Sequence, residues 1–180
     1  MNKKEDKLIQ EFLKDRSSSN FLNLYNLYNG SLMRLAMYFT RNKRELAEDI
    51  LQESWITAVK KLDTFKGTSS FKTWMTGILV NKYRESNRKF KEEVRLEVIH
   101  QQEQYHPSDN LAIDLKNAIF QLPDGYREIL TLYDIEGYKH KEIAAALRIS
   151  EGTSKSQLFQ ARKSMRALLE GYKKNKQWKS

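Results

Sequence analysis

Cysteine is absent from the 180 residues, which excludes a disulfide framework and a thiolate metal site. With 2 Pro and 7 Gly and few alternating β-branched runs, the chain lacks the turn signals of a β-protein and reads as almost wholly helical. No apolar run approaches the roughly 20 residues of a membrane span. The opening MNKKEDKLIQEFLKDR mixes both charge signs where a signal peptide needs an apolar stretch. These absences lead to the expectation of a soluble, cytoplasmic protein without membrane insertion. What the chain has in excess is positive charge: 32 Lys and Arg against 23 Asp and Glu, net +9. That balance points to a polyanionic partner, either nucleic acid or an anionic membrane surface. An apolar content of 39% suits modest cores, so the expected fold is all-α, with two small helical domains.

After a short charged lead, Phe21, Leu24, Leu32, Leu35, Ala36 and Phe39 recur at helical spacing, and Gly30 weakens that helix without ending it. Asn42 with Glu45 three positions on has the form of a capping box and opens a helix expected to run to about Leu62. Its buried stripe is Leu51, Trp55, Ala58 and Leu62; Glu48, Asp49, Gln52 and Glu53 fall on the other side. This acidic face reads either as a solvated surface or as a docking surface for a basic partner. Its paired carboxylates do not point to acid/base catalysis, because no nucleophile, glycine cradle or pocket motif accompanies them, and no enzymatic activity is expected.

The loop from Asp63 to Ser70 carries Phe65 and Gly67 and ends on Ser70, a suitable N-cap. The helix beyond it has an inner stripe of Phe71, Trp74, Met75 and Ile78, with Asn81, Arg84, Glu85 and Arg88 on a polar face. Residues 60 to 89 hold 8 cations and 2 acids, net +6. Aromatic groups beside a cationic helix suit a nucleic-acid strand with unstacked bases, although Trp74 reads better as core than as a base platform.

Residues 91 to 110 form a polar linker; from Lys91 to Asp114 there are 2 cations and 6 acids, net −4. His100 and His106 lie there without partners at metal-ligand spacing, and neither a metal nor a cofactor is expected. The first domain thus covers 1 to 90 and the second 111 to 180. In the second, Pro123 starts a helix, Gly137 stops it, a short helix covers about Lys139 to Leu147, and Ser150 caps the last. That layout is a helix-turn-helix, with Ala144 and Ala145 small enough for close helix contact. The last helix turns Leu158, Ala161, Met165 and Leu168 inward and Lys155, Ser156, Phe159, Arg162 and Arg166 outward. Residues 148 to 180 hold 9 cations and 2 acids, net +7, which favours phosphate contact over a bare packing unit.

The block AEDILQESWITAVKKLDTFKGTSSFKTWMTGILVNKYRESNRK, followed after a linker by LPDGYREILTLYDIEGYKHKEIAAALRISEGTSKSQLFQARK, resembles the bacterial sigma factors of the extracytoplasmic-function type. The resemblance runs from about Phe21 to Leu169. It implies a transcription initiation factor whose first domain binds core RNA polymerase and the minus-10 promoter element and whose second reads the minus-35 element. By the same resemblance, Glu48, Asp49, Gln52, Glu53 and Trp55 dock on the polymerase. Phe65, Lys66, Gly67, Ser69 and Ser70 belong to the loop from Asp63 to Ser70 that captures a flipped base, and Lys72 is a further minus-10 contact. Asn81, Lys82, Arg84 and Arg88 face the melted strand. Arg148, Thr153, Lys155, Ser156, Gln157, Phe159, Gln160 and Arg162 lie on the minus-35 side. The family also implies an anti-sigma factor that occludes these faces.

The recognition helix departs from the family's common G-T-V-K-S-R, reading Gly152, Thr153, Ser154, Lys155, Ser156, Gln157, with Gln160 where an arginine is frequent. Two outcomes are open: an altered preference, since Gln reads adenine, or weaker minus-35 binding that leaves room for an additional DNA-targeting partner. The alternative to a sigma factor is a helix-turn-helix regulator that does not bind polymerase core.

Overall fold

The computed structural model describes residues 3–94 and 110–177. Among the described residues eight α-helices follow one another: α1 (Lys3–Lys14), α2 (Ser18–Phe39), α3 (Arg44–Lys60), α4 (Phe71–Val94), α5 (Leu111–Gln121), α6 (Asp124–Leu130), α7 (His140–Leu147) and α8 (Glu151–Gln177). A 3-10 turn, Leu62–Thr64, follows α3, and a π-helical turn, Thr131–Ile135, extends α6. No strand occurs among the described residues, and no helix among them is long and apolar enough to cross a membrane.

The charged lead is itself a helix. Leu8, Ile9, Phe12 and Leu13 form a stripe that the surrounding charges dilute in sequence; Ile9 and Phe12 are buried, with Phe12 against Phe21 at 6.0 Å. Ser17 caps α2 by accepting from the Asn20 amide. Gly30 passes through the middle of α2 without a break. The expected capping box at Asn42 does not form. Arg41 and Asn42 take left-handed backbone, φ 54° and 66°, so α3 starts after Lys43 with no side-chain cap. The reversal of the chain between α2 and α3 needs those two positive φ values, which a helical N-cap at Asn42 would not provide. The buried stripe of Leu51, Trp55, Ala58 and Leu62 is as read, though Leu62 lies beyond the end of α3 in the 3-10 turn. Ser70 caps α4, its hydroxyl accepting from the Thr73 amide at 3.1 Å. The helix α4 runs on to Val94, four residues into the stretch expected to be linker. Residues 95–109 of that linker, with His100 and His106, lie outside the described residues.

In the second unit Asn110 caps α5 and Pro123 precedes α6. Gly137 turns at φ 71°, and Ser150 accepts from the Thr153 amide at 2.9 Å. The turn after α7 is made by Arg148 at φ 57°. The two units do not stand apart. Ile129, Leu132, Tyr138, Ile143, Leu147 and Leu158 of the second join Leu32, Phe39, Phe71, Met75, Leu79 and Tyr83 of the first in one core. Burying each such side chain contributes about 1.5–3 kcal/mol. The small residues act here too. Ala146 makes a close helix contact with Gly77 of α4, while Ala144 is half-buried and Ala145 exposed. A second cluster, Ala118, Ile119, Leu122, Leu130, Ala161, Met165 and Tyr172, holds α5, α6 and α8 together.

Candidate nucleic-acid interface

The first unit presents two opposed chemistries. On α3, Glu48, Asp49, Gln52 and Glu53 are exposed, because helical spacing turns them away from the Leu51–Trp55–Ala58 stripe. Beside them α2 and α3 enclose a groove of about 770 Å³, floored by Phe21, Tyr25, Met33, Leu51 and Trp55 and rimmed by Glu48 and Gln52. Trp55 is buried. Its Nε1 donates to Asn29 Oδ1 at 3.2 Å, and its ring meets Phe21 edge-on at 5.6 Å and Tyr25 at 5.3 Å. It therefore shapes the groove from below, while the four polar residues meet solvent. Arg44 pairs with Glu48 at 2.7 Å along the same edge.

The loop before α4 turns at Gly67, φ 68°, which favours glycine. Lys66 and Gly67 are exposed, and Ser69 and Ser70 are half-buried. Phe65 points inward: it meets Phe71 edge-on at 5.4 Å and lies 5.4 Å from Trp74, which itself lies 5.5 Å from Phe71. Phe65 is thus part of the aromatic support under the loop. Beyond it a small cavity of about 100 Å³ is lined by Ser69, Thr73, Trp74, Asn81, Ala146 and Arg148, which brings the loop, α4 and the helix-turn-helix turn together.

Along α4 the candidate residues differ in their engagement. Asn81 and Arg88 are exposed. Lys82 Nζ lies 3.4 Å from both Glu53 and Glu85; partial burial works against its charge, but these two carboxylates outweigh that and hold its pKa above the ordinary lysine value. Arg84 grips Glu128 of α6 through Nε at 3.2 Å and Nη2 at 2.6 Å. Lys72 lies 3.7 Å from Glu136 and over the Tyr138 ring at 4.8 Å. None of these second-unit partners was marked in the sequence reading. They sit in the apolar stretch YREILTLYDIEGY, where the pattern indicates burial and not what buries it.

Those partners are held firmly. Arg127 is fully buried and donates to the Leu122 carbonyl at 2.8 Å, to Tyr83 Oη at 2.8 Å and to Asp124 Oδ1 at 2.5 Å. Burial pushes the Tyr83 hydroxyl up to about 12 against the opposing pull of Arg127. Burial likewise raises the Glu128 carboxyl above its ordinary range, outweighing the hydrogen bond and charge of Arg84.

On α8, Lys155, Ser156, Phe159, Gln160 and Arg162 are exposed and Gln157 is half-buried. Thr153 faces its cap, its hydroxyl 2.8 Å from that of Ser150. Arg148 is exposed in the turn. Arg162 pairs with Asp134, which holds its pKa up, and lies over the Tyr133 ring at 5.5 Å. Ser154, where the family pattern has a valine, is fully buried and lies 2.9 Å from Nδ1 of His140, whose ring stacks on Tyr133. That departure is internal packing. The two glutamines stay on or near the surface.

Among the described residues no group of three or more His, Asp or Glu converges to hold a metal. The features present are an acidic edge over an apolar groove and two cationic helices, all suited to binding macromolecules.

Comparison with known proteins matches the same segments. The family description Sigma-70 region 2 fits residues 24–91, and Sigma-70, region 4 fits residues 113–165. The chain is 32% identical over 152 residues to the ECF RNA polymerase sigma factor SigM of Bacillus subtilis, spanning 81% of this chain and 92% of that protein. It is 30% identical over 134 residues to the ECF RNA polymerase sigma-E factor of Salmonella typhimurium, spanning 65% and 70%. Among solved structures, the sigma factor RpoE in complex with the anti-sigma factor NepR from Bartonella quintana superposes with a TM-score of 0.71 at 28% identity, over 84% of this chain and 97% of that one. CnrH, in complex with the cytosolic domain of CnrY, shares the fold, with a TM-score of 0.68 at 21% identity over 93% and 97%.

Proposed function

Because the chain belongs to the extracytoplasmic-function sigma factors of bacterial RNA polymerase, and so acts in transcription initiation, we propose how its surfaces divide that work. The α3 edge of Glu48, Asp49, Gln52 and Glu53, with the groove floored by Trp55, docks on a basic element of core polymerase. The loop from Lys66 to Ser70, carried on Phe65, Phe71 and Trp74, receives an unstacked base of the minus-10 element. Lys72, Asn81, Lys82, Arg84 and Arg88 follow the melted strand. Arg148, Thr153, Lys155, Ser156, Gln157, Phe159, Gln160 and Arg162 face the minus-35 duplex. The observation that carries the reading is the placement of an exposed acidic rim over an open apolar groove on α3, next to a cationic helix behind an aromatic-backed loop, the two meeting where Lys82 lies 3.4 Å from Glu53.

No bond chemistry is needed. Unstacking a base costs a few kcal/mol, which stacking or pocket contacts of about 1–3 kcal/mol per base and phosphate pairing offset. Gln157 and Gln160 replace charge with amide, so minus-35 recognition leans less on phosphate attraction, and an additional DNA-targeting partner compensates. An anti-sigma factor is the remaining partner in this reading, supported by the likeness to RpoE, solved with NepR. The alternative of a regulator that ignores polymerase core leaves the α3 groove without a role.

The test is in vitro transcription with core polymerase and a promoter library. Asn81→Ala with Arg88→Ala should abolish strand opening, read by permanganate reactivity, while leaving polymerase binding intact. Unchanged opening would reject the α4 assignment. Tight, sequence-selective minus-35 binding by the unaided holoenzyme would reject the additional partner.

A further inference from the structure

Arg162 is held along one edge only. Its Nε lies 3.1 Å from one carboxylate oxygen of Asp134 and its Nη2 bonds the other, a two-pronged pair. Nη1 has no hydrogen-bond partner among the described residues, and the side chain is 49% exposed. Its Cζ stands 5.5 Å from the centre of the Tyr133 ring. The guanidinium is therefore fixed in plane and direction while its outer edge stays unpaired.

The ring beneath it is braced in turn. Tyr133 stacks on His140 with centres 4.5 Å apart, and His140 Nδ1 lies 2.9 Å from the hydroxyl of Ser154. Ser154 is fully buried near the start of α8, so the contacts run from α8 through α7 and the π-helical turn and back to α8. The valine of the family pattern has no hydroxyl for this bond. All of these contacts lie within the second unit. None crosses the seam between the units, where Ala146 meets Gly77 and Tyr138 meets Thr76.

A free arginine loses rotamer freedom when it grips an anion; Arg162 has already given it up. Nη1 and the outer N–H of Nη2 still offer parallel donors, which suit two oxygens of a phosphate or O6 and N7 of guanine. Position selects the phosphate. A helix-turn-helix reads bases with the first residues of its second helix, whereas Arg162 lies eleven residues beyond Glu151, about 16 Å along the axis at a rise of about 1.5 Å per residue.

We propose that Tyr133 and Asp134 are positioning residues for the minus-35 side: they pre-set Arg162 to take one phosphate of the duplex through its outer edge. This rests on the reading of α8 as the duplex-facing helix. One aimed cation then makes up in part for the amides of Gln157 and Gln160, and the Asp134 carboxylate is tolerated beside DNA because it does the aiming.

The sign of one substitution separates this from plain electrostatics. Asp134→Ala removes a negative charge, which by charge alone would tighten binding to DNA; the proposal requires weaker binding. The probe is a fluorescent mixed-sequence duplex titrated with the full chain over a series of salt concentrations, since a phosphate contact carries no sequence information. Arg162→Ala should lower the slope of log affinity against log salt by about 0.9, the value for one phosphate. Asp134→Ala should weaken binding at least threefold, and that loss should vanish when Arg162→Ala is already present. Tyr133→Leu should show the same dependence on Arg162. Asp134→Asn, which keeps one acceptor, should restore part of the loss. Each variant is first checked for retained helicity.

Tighter binding by Asp134→Ala, or an equal loss with and without Arg162→Ala, would overturn the proposal. So would an unchanged salt slope in Arg162→Ala, which would reduce the pair to a staple between α8 and the turn before α7. Lys155→Ala separates the two levels. A slope lowered by Lys155→Ala but not by Arg162→Ala rejects the proposal and keeps α8 on DNA, whereas no effect of either rejects that reading and the proposal together.

Discussion

The two sides of the first unit are built on one core and treated oppositely. On the α3 side the acidic residues stand in solvent above an open groove, and the aromatic Trp55 lies underneath. On the α4 side Lys72 and Arg84 are already paired, and a helix-turn-helix unit is packed against them. The difference teaches that pairing between the units, more than residue type, distinguishes the two surfaces: Lys72 and Arg84 are held by carboxylates of the second unit, whereas the ion pairs of Glu48 and Glu53 stay within the first.

The comparison is broken most severely by removing the shared support. Phe71 is buried against Tyr28, Phe65 and Trp74, so Phe71→Ala should cost about 3–5 kcal/mol in urea denaturation and disable both faces together. Loss of one face alone would show that they do not share a core. Next comes the seam. Tyr138→Phe strands the buried Thr76 hydroxyl and should cost about 1–3 kcal/mol of the closed state, read as an increased separation of fluorophores on the two units; an unchanged separation would mean the hydrogen bond does not hold the seam.

A third change sharpens the contrast from the open side. Asp49→Lys alters an exposed residue and should leave stability within about 0.5 kcal/mol, while lowering affinity for core polymerase about tenfold, or roughly 1.4 kcal/mol, in a titration. The smallest effect concerns acidity. Glu128 faces Arg84, Arg127, Asp124 and Tyr83, and burial raises its carboxyl above the ordinary value. The closed state therefore holds that proton more tightly than an open state with Glu128 in water. Its contribution to closure is complete below the ordinary glutamate pKa of about 4.3 and is lost as pH rises through the raised value. Mild acidification should thus tighten the seam slightly at this residue, and inter-unit fluorescence transfer that falls with acidification in the Glu128 chain but not in Glu128→Gln would contradict it.

Local rules made much of this legible. Ser70, Pro123, Gly137 and Ser150 act where their chemistry predicts, because caps and turns depend on neighbours within a few residues. The Leu51–Trp55–Ala58 stripe was equally plain. Asn42 misled, because the capping pattern at Asn42 and Glu45 says nothing about the left-handed turn that the chain reversal demands. The helix α1 was hidden because charges outnumber its stripe of four apolar residues. The seam was invisible for a different reason. Gly77 and Ala146 are 69 positions apart, and no periodicity within either helix encodes that α7 will lie on α4. For the candidate site, residue types and order were readable, whereas the inward turn of Phe65 and the pairing of Arg84 depend on three-dimensional neighbours.

Arg148 closes α7 in left-handed backbone at φ 57°, a conformation that costs an L-residue about 1–2 kcal/mol and that glycine adopts freely. A screen for thermostability would consequently favour Arg148→Gly and discard an exposed cation from the turn between α7 and α8, where the proposed function places a DNA contact. Melting temperature is a poor guide to fitness at this position, and a stabilised version of the protein for structural or synthetic use should keep its arginine and take its gains elsewhere.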